Sequence, residues 1–374
     1  MQQYKGEEPF AAFLKKQFAA NKKYGSKDRK QIAHCCYCFF RAAHVLGDRS
    51  MEEKILAALF LCSTVSDPLI STLRPEWQDM LALSVEEKFK LLGIAAAVTD
   101  LFPWSNMLSD AIDPLPFAAS FLQQPDLFIR IRPGYHTALK SQFQSKGISF
   151  REISETCFAF SSGTKLDEYL QTNREAVIQD YNSQQVGELL EPVKQSDWIS
   201  VWDACAASGG KSIMAKDRLG KIRLTVSDIR ESILHNLKKR FSEAGIGSFQ
   251  TLVADLAAGD PLSPGDTFDL VIADVPCSGS GTWGRTPEQL YYFKKEKIKD
   301  YHELQQRILT TILPHVKQGG YFLYITCSVF SEENEDQVAF ITGKKGFTLM
   351  REEWLKGYDK KADTMFAALF RKGL

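Results

Sequence analysis

The sequence predicts a mixed α/β protein whose C-terminal half folds as a doubly wound parallel sheet. Three observations carry this prediction. Apolar residues recur every three or four positions through 8–112, short alternating runs follow at about 125–180, and five apolar runs alternate with helix-like segments from 198 onward. Strands that alternate with helices are typical of parallel sheets, whereas the first region has no strand alternation at all.

The N-terminal region, 1–112, is predicted to be an all-helical domain. Ser26, Ser50 and Ser84 each precede an amphipathic run and are candidate N-caps, and Glu53 stands in capping-box position after Ser50. We therefore expect at least three helices packed on one another before the first strand.

The eight cysteines do not indicate a disulfide scaffold in a chain of this length. Four potential zinc ligands cluster in one predicted helix, namely His34, Cys35, Cys36 and Cys38. No second Cys/His pair completes a tetrahedral set nearby, so we interpret the cysteines as buried small side chains and expect no metal.

The middle of the chain is predicted to be a small α+β domain at 125–185. The proline-rich segment 113–124 breaks the helical pattern and is expected to be a linker. "LFIRIRPG" has strand alternation, "HTALKSQFQSKGI" has helical spacing, and "SFREI", "CFAFSSG" and "AVIQD" resemble further short strands. The remainder, 186–374, is the predicted parallel-sheet domain.

Aspartates stand at or next to the ends of the first four strands of that sheet. They are Asp203, Asp228, Asp255 and Asp274. Ligands of doubly wound sheets bind beyond the carboxyl ends of the strands, so these carboxylates are expected to surround one site. One acid alone would more simply cap a helix, but a set of four in register favours a binding site.

The first strand leads into "DACAASGGKS", a turn of small residues that opens a helix. Small residues let a ligand approach the backbone, and a helix N-terminus supplies amide donors. The pattern fits neither GxGxxG nor GxxxxGK[ST], because Ala206 and Ser208 replace glycines. Asp228 suits a ribose diol, and Asp255 can accept from an adenine amino group. Acids around an adenosine without a phosphate cradle favour S-adenosylmethionine over NAD.

Charge and hydropathy add the following expectations. Residues 14–41 carry eight Lys/Arg against one Asp, whereas 42–113 carry five against eleven Asp/Glu, although the net charge of the chain is zero. The basic stretch can bind phosphates or can be a solvated helix face. No apolar leader or membrane-length apolar run is visible, so we expect a cytoplasmic protein without a membrane partner.

Two cysteines directly follow strand-like runs, in "ADVPCSGSGTWGRTPE" (273–288) and "YITCSVFSEENEDQV" (324–338). Together with "DACAASGGK" (203–211), these segments resemble the successive motifs of the Sun/RsmB family of RNA cytosine-5 methyltransferases. The resemblance is strong over about 125–374, where "IRIRP" and "AVIQDYNSQQV" also resemble family segments. It is loose before that, where "GSKDRKQIAHCCYCFFR" weakly resembles a NusB-like helical domain.

The resemblance implies a Rossmann-like methyltransferase domain, an S-adenosylmethionine cofactor and a covalent mechanism. Cys327 would be the nucleophile that adds to cytosine C6, Cys277 would assist breakdown of the adduct, and Asp274 would bind the N3/N4 edge of the base. The implied cofactor-binding residues are Cys205, Ala206, Ala207, Ser208, Gly209, Gly210, Lys211, Asp228, Asp255 and Asp274.

Ser208 departs from the family, which usually has proline at that position. Serine keeps the turn small and is a possible helix cap, but it puts cofactor affinity in doubt. Aromatic residues follow the fourth strand at Trp283, Tyr291, Tyr292 and Phe293, with three lysines after them. They can stack on an unpaired base, or the lysines can belong to a plain amphipathic helix.

The expected substrate is small-subunit ribosomal RNA, with transfer RNA as the alternative, and the chain is expected to act as a monomer. A DNA cytosine methyltransferase would use the cysteine after the fourth strand and has no need of Cys327. A non-catalytic RNA-binding assembly factor would have no need of Cys327, Cys277 and Asp274 together.

Overall fold

The structure is a computed structural model that describes residues 3–195 and 197–373. These residues divide into two compact units. Unit 1 comprises Met1–Pro125 and the later segment Thr282–Lys295, and unit 2 comprises Asp126–Gly281 and Glu296–Leu374. The helical unit therefore includes a segment that begins inside one of the two cysteine motifs, 273–288.

The α-helices of the described residues are, in chain order, α1 (Phe10–Ala20), α2 (Ser26–Ala42), α3 (Met51–Cys62), α4 (Pro68–Leu73), α5 (Val85–Leu91), α6 (Pro114–Ser120), α7 (His136–Ser145), α8 (Tyr181–Gln185), α9 (Gly210–Leu219), α10 (Glu231–Glu243), α11 (Pro287–Tyr292), α12 (Glu296–Ile312) and α13 (Glu335–Thr342). The strands are β1 (Leu127–Ile131), β2 (Arg151–Ser154), β3 (Cys157–Phe160), β4 (Ala176–Ile178), β5 (Ile199–Asp203), β6 (Ile222–Asp228), β7 (Phe249–Val253), β8 (Phe268–Asp274), β9 (Val316–Thr326), β10 (Phe347–Leu355) and β11 (Met365–Lys372).

Local sequence signals fix most of the helix starts in unit 1. Ser50 accepts the amide of Glu53, whose carboxylate accepts the amide of Ser50, and the same capping box forms at Ser84 before α5. The expected cap at Ser26 is wrong, because Ser26 is already helical and Gly25 is the cap. The Gly25 amide donates to the carboxylate of Asp28 instead.

The segment 113–124, expected to be a linker, contains α6. Asp113 accepts the amide of Leu115, and proline occupies the first helical position, where its missing N–H costs nothing. The helix then buries Phe117 and Ala118. Prolines in this segment therefore start a helix, and its apolar residues belong to the core of unit 1.

The later segment of unit 1 packs into the same core. Trp283 is fully buried, with its ring 5.7 Å from that of Trp104 and 5.9 Å from that of Phe102. The Tyr292 hydroxyl donates to the carbonyl of Tyr4 at 2.7 Å. Arg41, only 3% exposed, donates to the carbonyls of Phe121, Gln123 and Gly284 and so joins three parts of the chain.

Unit 2 contains two sheets. The smaller has the order β2-β3-β1-β4 with antiparallel pairing throughout, and it buries Ile129, Phe143 and Phe158 between its strands and α7. This small α+β part begins at the predicted strand "LFIRI". Arg130 in β1 and Arg132 just after it both bind the carboxylate of Asp217 in α9.

The larger sheet has the order β10-β11-β9-β8-β5-β6-β7. The five strands from β5 to β9 pair in parallel with their neighbours. β11 pairs antiparallel with β9, and β10 pairs antiparallel with β11. Helices pack on both faces around apolar strand residues. The predicted fold class, a Rossmann-like α/β domain with a small α+β part and an N-terminal helical region, is confirmed. Among the described residues, no helix is both long and apolar enough to cross a membrane.

Candidate active site

A cavity of about 400 Å³ lies beyond the carboxyl ends of β5, β6, β7 and β8. Strand order reverses around β5, whose next neighbours are β6 on one side and β8 on the other, so the loops diverge there and leave a crevice. The cavity is lined by Ala204, Cys205, Ala207, Asp228, Ile229, Arg230, Ala254, Asp255, Leu256, Asp274, Val275, Pro276, Leu304 and Ile308. Three of the four predicted strand-end acids therefore face one site.

The turn after β5 has the backbone geometry that its small residues allow. Ala207 and Gly209 have positive φ, 45° and 82°. A Cβ at Gly209 would approach a ring carbon of Phe241 to 2.5 Å, so glycine is required at that position for α9 to pack against α10. The Gly209 amide closes the turn on the carbonyl of Ala206 at 2.8 Å.

Ser208 does not cap the helix, contrary to expectation. Gly209 is the N-cap residue, and α9 has no side-chain cap. Instead the guanidinium of Arg240, from α10, donates to both the carbonyl and the hydroxyl of Ser208, at 2.9 and 2.6 Å. The loop is therefore held by an arginine at the position where the family usually has proline.

Asp228 is 7% exposed and accepts hydrogen bonds on both carboxylate oxygens. The amide of Ala207 and the amide and guanidinium of Arg230 donate to it. Burial opposes ionisation, but the hydrogen bonds and charge of Arg230 outweigh burial and lower the pKa of Asp228. The carboxyl is thus an ionised acceptor at the edge of the cavity.

Asp203, the fourth strand-end acid, does not line the cavity. It is fully buried and accepts the hydroxyl of Ser212 at 2.6 Å, and within the described part of the chain its Oδ1 atom has no hydrogen-bond partner. Burial raises the pKa of Asp203 to about 7. Asp203 therefore stabilises the start of α9 through Ser212 and does not face the cavity.

Lys211 joins the turn to the fourth strand. Its Nζ atom lies 3.0 Å from Oδ2 of Asp274 and 2.7 Å from the hydroxyl of Ser183, which follows the small α+β part. The side chain of Lys211 is 9% exposed and that of Asp274 is 31% exposed. The carboxylate of Asp274 therefore keeps an open side toward the cavity while the lysine fixes its position.

The sulfur atoms of Cys277 and Cys327 lie 3.4 Å apart, and both thiols are free. The hydrogen bond shared with Cys327 and burial raise the pKa of the Cys277 thiol. The two loops meet tightly: the Gly281 amide donates to the carbonyl of Cys327 at 2.8 Å, and a Cβ at Gly281 would approach the same carbonyl oxygen to 3.0 Å.

Glu333 connects the two cysteine loops and was missed by the sequence analysis, although it lies in the quoted segment 324–338. One oxygen accepts the amide of Ser278 at 2.7 Å, next to Cys277, and the other accepts the hydroxyl of Ser328 at 2.8 Å, next to Cys327. Gln305 donates to Glu333 at 3.3 Å and to the carbonyl of Pro276 at 3.0 Å. Burial raises the pKa of Glu333.

The aromatic residues after the fourth strand differ in how accessible they are to a base. Trp283 is fully buried in the core of unit 1 and cannot stack on a base. Tyr291 is 38% exposed but packs its ring edge-on against that of Phe39. Trp283 therefore belongs to the core of unit 1, whereas stacking of Tyr291 on a base stays a prediction.

The predicted cofactor-binding residues take two places. Cys205, Ala207, Asp228, Asp255 and Asp274 line the cavity, whereas the remaining five, Ala206, Ser208, Gly209, Gly210 and Lys211, belong to the turn after β5 and to the start of α9. Burial raises the pKa of the Cys205 thiol, so the side chain stays uncharged and contributes an apolar surface to the cavity. Over the described residues, no group of three or more His, Cys, Asp or Glu side chains could hold a metal ion.

Solved structures share this fold. PH0851 has a TM-score of 0.71 at 18% identity, covering 96% of this chain and 93% of that one. NSun6 from Pyrococcus horikoshii, solved with SFG, has a TM-score of 0.61 at 14% identity, covering 72% and 97%. A methyltransferase homologue from the same organism has a TM-score of 0.59 at 19% identity, covering 78% and 100%.

Sequence comparison is more specific. The sequence model of the family described as 16S rRNA methyltransferase RsmB/F matches residues 188–368. The ribosomal RNA small subunit methyltransferase B of Yersinia enterocolitica is 33% identical over 167 residues, 43% of this chain and 37% of the relative. The probable enzyme of that name from Bacillus subtilis is 30% identical over 207 residues, 54% and 46% of the two chains. The matches span less than half the length of these relatives. The two cysteine motifs and the glycine turn all fall within 188–368, the part of this chain that matches the model of the RsmB/F methyltransferase family.

Proposed function

We propose that this protein is an S-adenosylmethionine-dependent RNA cytosine-5 methyltransferase that acts on small-subunit ribosomal RNA. The observation that carries the proposal is the pair of sulfur atoms 3.4 Å apart, beside a cavity bordered by three strand-end carboxylates. One thiol would suffice for a single attack on a base, whereas two in contact suit a reaction that both forms and breaks a carbon–sulfur bond.

The cavity fits S-adenosylmethionine by its chemistry. Carboxylates at Asp228 and Asp255 match the hydroxyl and amino donors of an adenosine, while Val275, Leu304 and Ile308 give the apolar walls that a purine needs. The relative NSun6, which shares the fold, was solved with SFG, a close analogue of this cofactor. When bound, the cofactor supplies an electrophilic methyl group.

The chain's own residues prepare the base to accept that methyl group. Cytosine C5 is a weak nucleophile until a thiolate adds to C6, which places an enamine across C5 and converts the ring into a carbon nucleophile. Cys327 forms this bond to C6. Asp274, held by Lys211, hydrogen-bonds the N3/N4 edge and supports protonation of N3 as the sulfur adds.

Breakdown of the adduct reverses that bond. Solvent water or hydroxide takes the C5 proton, and the electron pair left on C5 re-forms the double bond as the C6–sulfur bond breaks. The Cys277 thiol, in contact with the Cys327 sulfur, is positioned to donate a proton to that sulfur as it departs. The raised pKa of the Cys277 thiol keeps it protonated beside the departing sulfur.

The proposal is tested by transfer of a labelled methyl group from S-adenosylmethionine to RNA. Bisulfite sequencing of total RNA from a strain that lacks the protein should show one cytosine in small-subunit ribosomal RNA losing its 5-methyl mark. Loss of a mark in transfer RNA instead would transfer the assignment to that substrate. Normal methylation of all RNA, with no binding of the cofactor, would leave a non-catalytic RNA-binding role.

A further inference from the structure

The acceptor positions of Asp228 are all taken by donors of the chain itself. Oδ1 accepts the backbone amide of Arg230 at 2.9 Å and its Nε–H at 3.0 Å. Oδ2 accepts the amide of Ala207 at 3.0 Å and the Arg230 Nη2–H at 3.2 Å. A carboxylate offers about four lone-pair positions, so no acceptor position is left for a further ligand donor.

The four donors differ in how easily they can leave. The backbone amide of Arg230 lies just after β6, and the backbone amide of Ala207 lies in the turn after β5. Moving either amide would require its loop to rearrange. The two side-chain donors belong to a guanidinium whose side chain is 58% exposed, whereas the side chain of Asp228 is 6% exposed. Only the guanidinium of Arg230 can leave while the carboxylate stays in place.

The guanidinium edge also presents the donor pattern of the expected ligand. Two N–H groups side by side meet one carboxylate, as the two O–H groups of a ribose diol would. Arg230 lines the cavity next to Asp228, so its guanidinium and a diol compete for the same two acceptor positions.

We propose that Arg230 is a built-in competitor of the cofactor's ribose, which must be displaced from Asp228 before a diol can bind there. This inference rests on the proposed function, because it takes Asp228 as the diol acceptor. The arginine keeps the carboxylate ionised and partnered and lowers the affinity for the ligand, so that the spent cofactor leaves more readily. It is a specificity-determining residue, because a ligand without the diol cannot displace it.

The inference is tested by calorimetry with two ligands, S-adenosylhomocysteine and its 2′,3′-dideoxy analogue. Arg230→Met keeps the length of the stem and removes the donors, and Arg223→Met, an exposed arginine near the other end of β6, is the matched control. Because the Arg230 side chain is largely exposed, its ion pair with Asp228 is a modest competitor, and Arg230→Met should bind S-adenosylhomocysteine about two- to five-fold more tightly than wild type. Arg230→Met should bind the dideoxy analogue no more tightly than wild type does. Arg223→Met should bind both ligands as wild type does.

Ionic strength supplies a second measurement. Salt screens the exposed guanidinium of Arg230, so raising the salt concentration should favour S-adenosylhomocysteine binding in wild type relative to Arg230→Met. Unchanged or weaker binding of S-adenosylhomocysteine by Arg230→Met, or equal gains for both ligands, would overturn the competitor role and leave the proposed function standing. Absence of binding of S-adenosylhomocysteine to wild type would overturn the proposed function and this inference with it.

Discussion

The sulfur of Cys277 lies 3.4 Å from the sulfur of Cys327, although 50 residues separate them in the chain. They meet because β8 and β9 are parallel neighbours, so the loops that follow them leave the same edge of the sheet. Glu333 then holds the two loops together by accepting from Ser278 and Ser328.

If one thiol attacks and the other helps release, the two cysteines should fail differently. Cys327→Ala should abolish both methyl transfer and the covalent complex, whereas Cys277→Ala should transfer one methyl group and then remain bound to RNA. A denaturing gel with labelled RNA measures the adduct, and Cys35→Ala is a control at a cysteine outside both motifs. An adduct in Cys327→Ala but not in Cys277→Ala would reverse the roles.

Replacing Asp228 with alanine should weaken S-adenosylmethionine binding. The lost carboxylate leaves ligand hydroxyls unpaired in a largely buried site, which costs about 1–3 kcal/mol. Isothermal calorimetry measures the change, and Asp336→Asn, an exposed acid on α13, should bind normally. Unchanged affinity in Asp228→Ala would remove this residue from the cofactor site.

Asp203 should make stability depend on pH. Its pKa is raised to about 7 in the fold, so the folded state holds a proton that the unfolded chain has lost between about pH 4 and 7. Stability therefore falls as pH rises through this range, by on the order of 4 kcal/mol at most. Denaturation of wild type and Asp203→Asn at pH 5 and 8 should show the variant gaining relative to wild type at pH 8. A constant difference would indicate that Asp203 is ionised throughout.

Glu333 should be needed for the spacing of the two thiols. Glu333→Ala removes the carboxylate to which the Ser278 amide and the Ser328 hydroxyl both donate, at a cost of about 1–3 kcal/mol for each buried hydrogen bond lost. We expect lower stability, loss of methyl transfer and slower diamide-induced cross-linking of Cys277 to Cys327. Glu333→Gln keeps one acceptor oxygen and should partly restore the stability, the methyl transfer and the rate of cross-linking. Full activity in Glu333→Ala would show that the loops hold their positions without it.

The basic stretch in unit 1 can be tested for RNA contacts without removing the unit. Lys15, Lys22, Lys23 and Lys27 are exposed, and changing them to Gln should flatten the salt dependence of RNA binding by about 0.9 in log–log slope per lost phosphate contact. Lys344→Gln with Lys345→Gln in unit 2 is the comparison. An unchanged slope in the four-lysine variant would make the stretch a solvated helix face.

Periodicity was enough to predict the parallel strands and most helices, because apolar spacing and capping residues act locally. It was enough to predict that Asp228, Asp255 and Asp274 share a site, since strand ends of a parallel sheet meet. It failed at 113–124, where proline signals both a break and a helix start, and at Trp283, whose burial depends on distant residues.

Which side chains hydrogen-bond to each other could not be predicted from the sequence either. Arg230 and Glu333 stand in unremarkable sequence contexts, and their importance comes from which carboxylate, amide or hydroxyl the fold brings to them. Ser208 illustrates the same point, since its partner Arg240 lies 32 residues away on α10.

The inclusion of Thr282–Lys295 in unit 1 has a consequence for the order in which the protein can be made. The burial of Trp283 and the bond from Tyr292 to Tyr4 require a segment that leaves the ribosome long after residue 125. The N-terminal unit therefore cannot complete its core during its own synthesis, and must wait, partly exposed, until four strands of the parallel sheet have been translated.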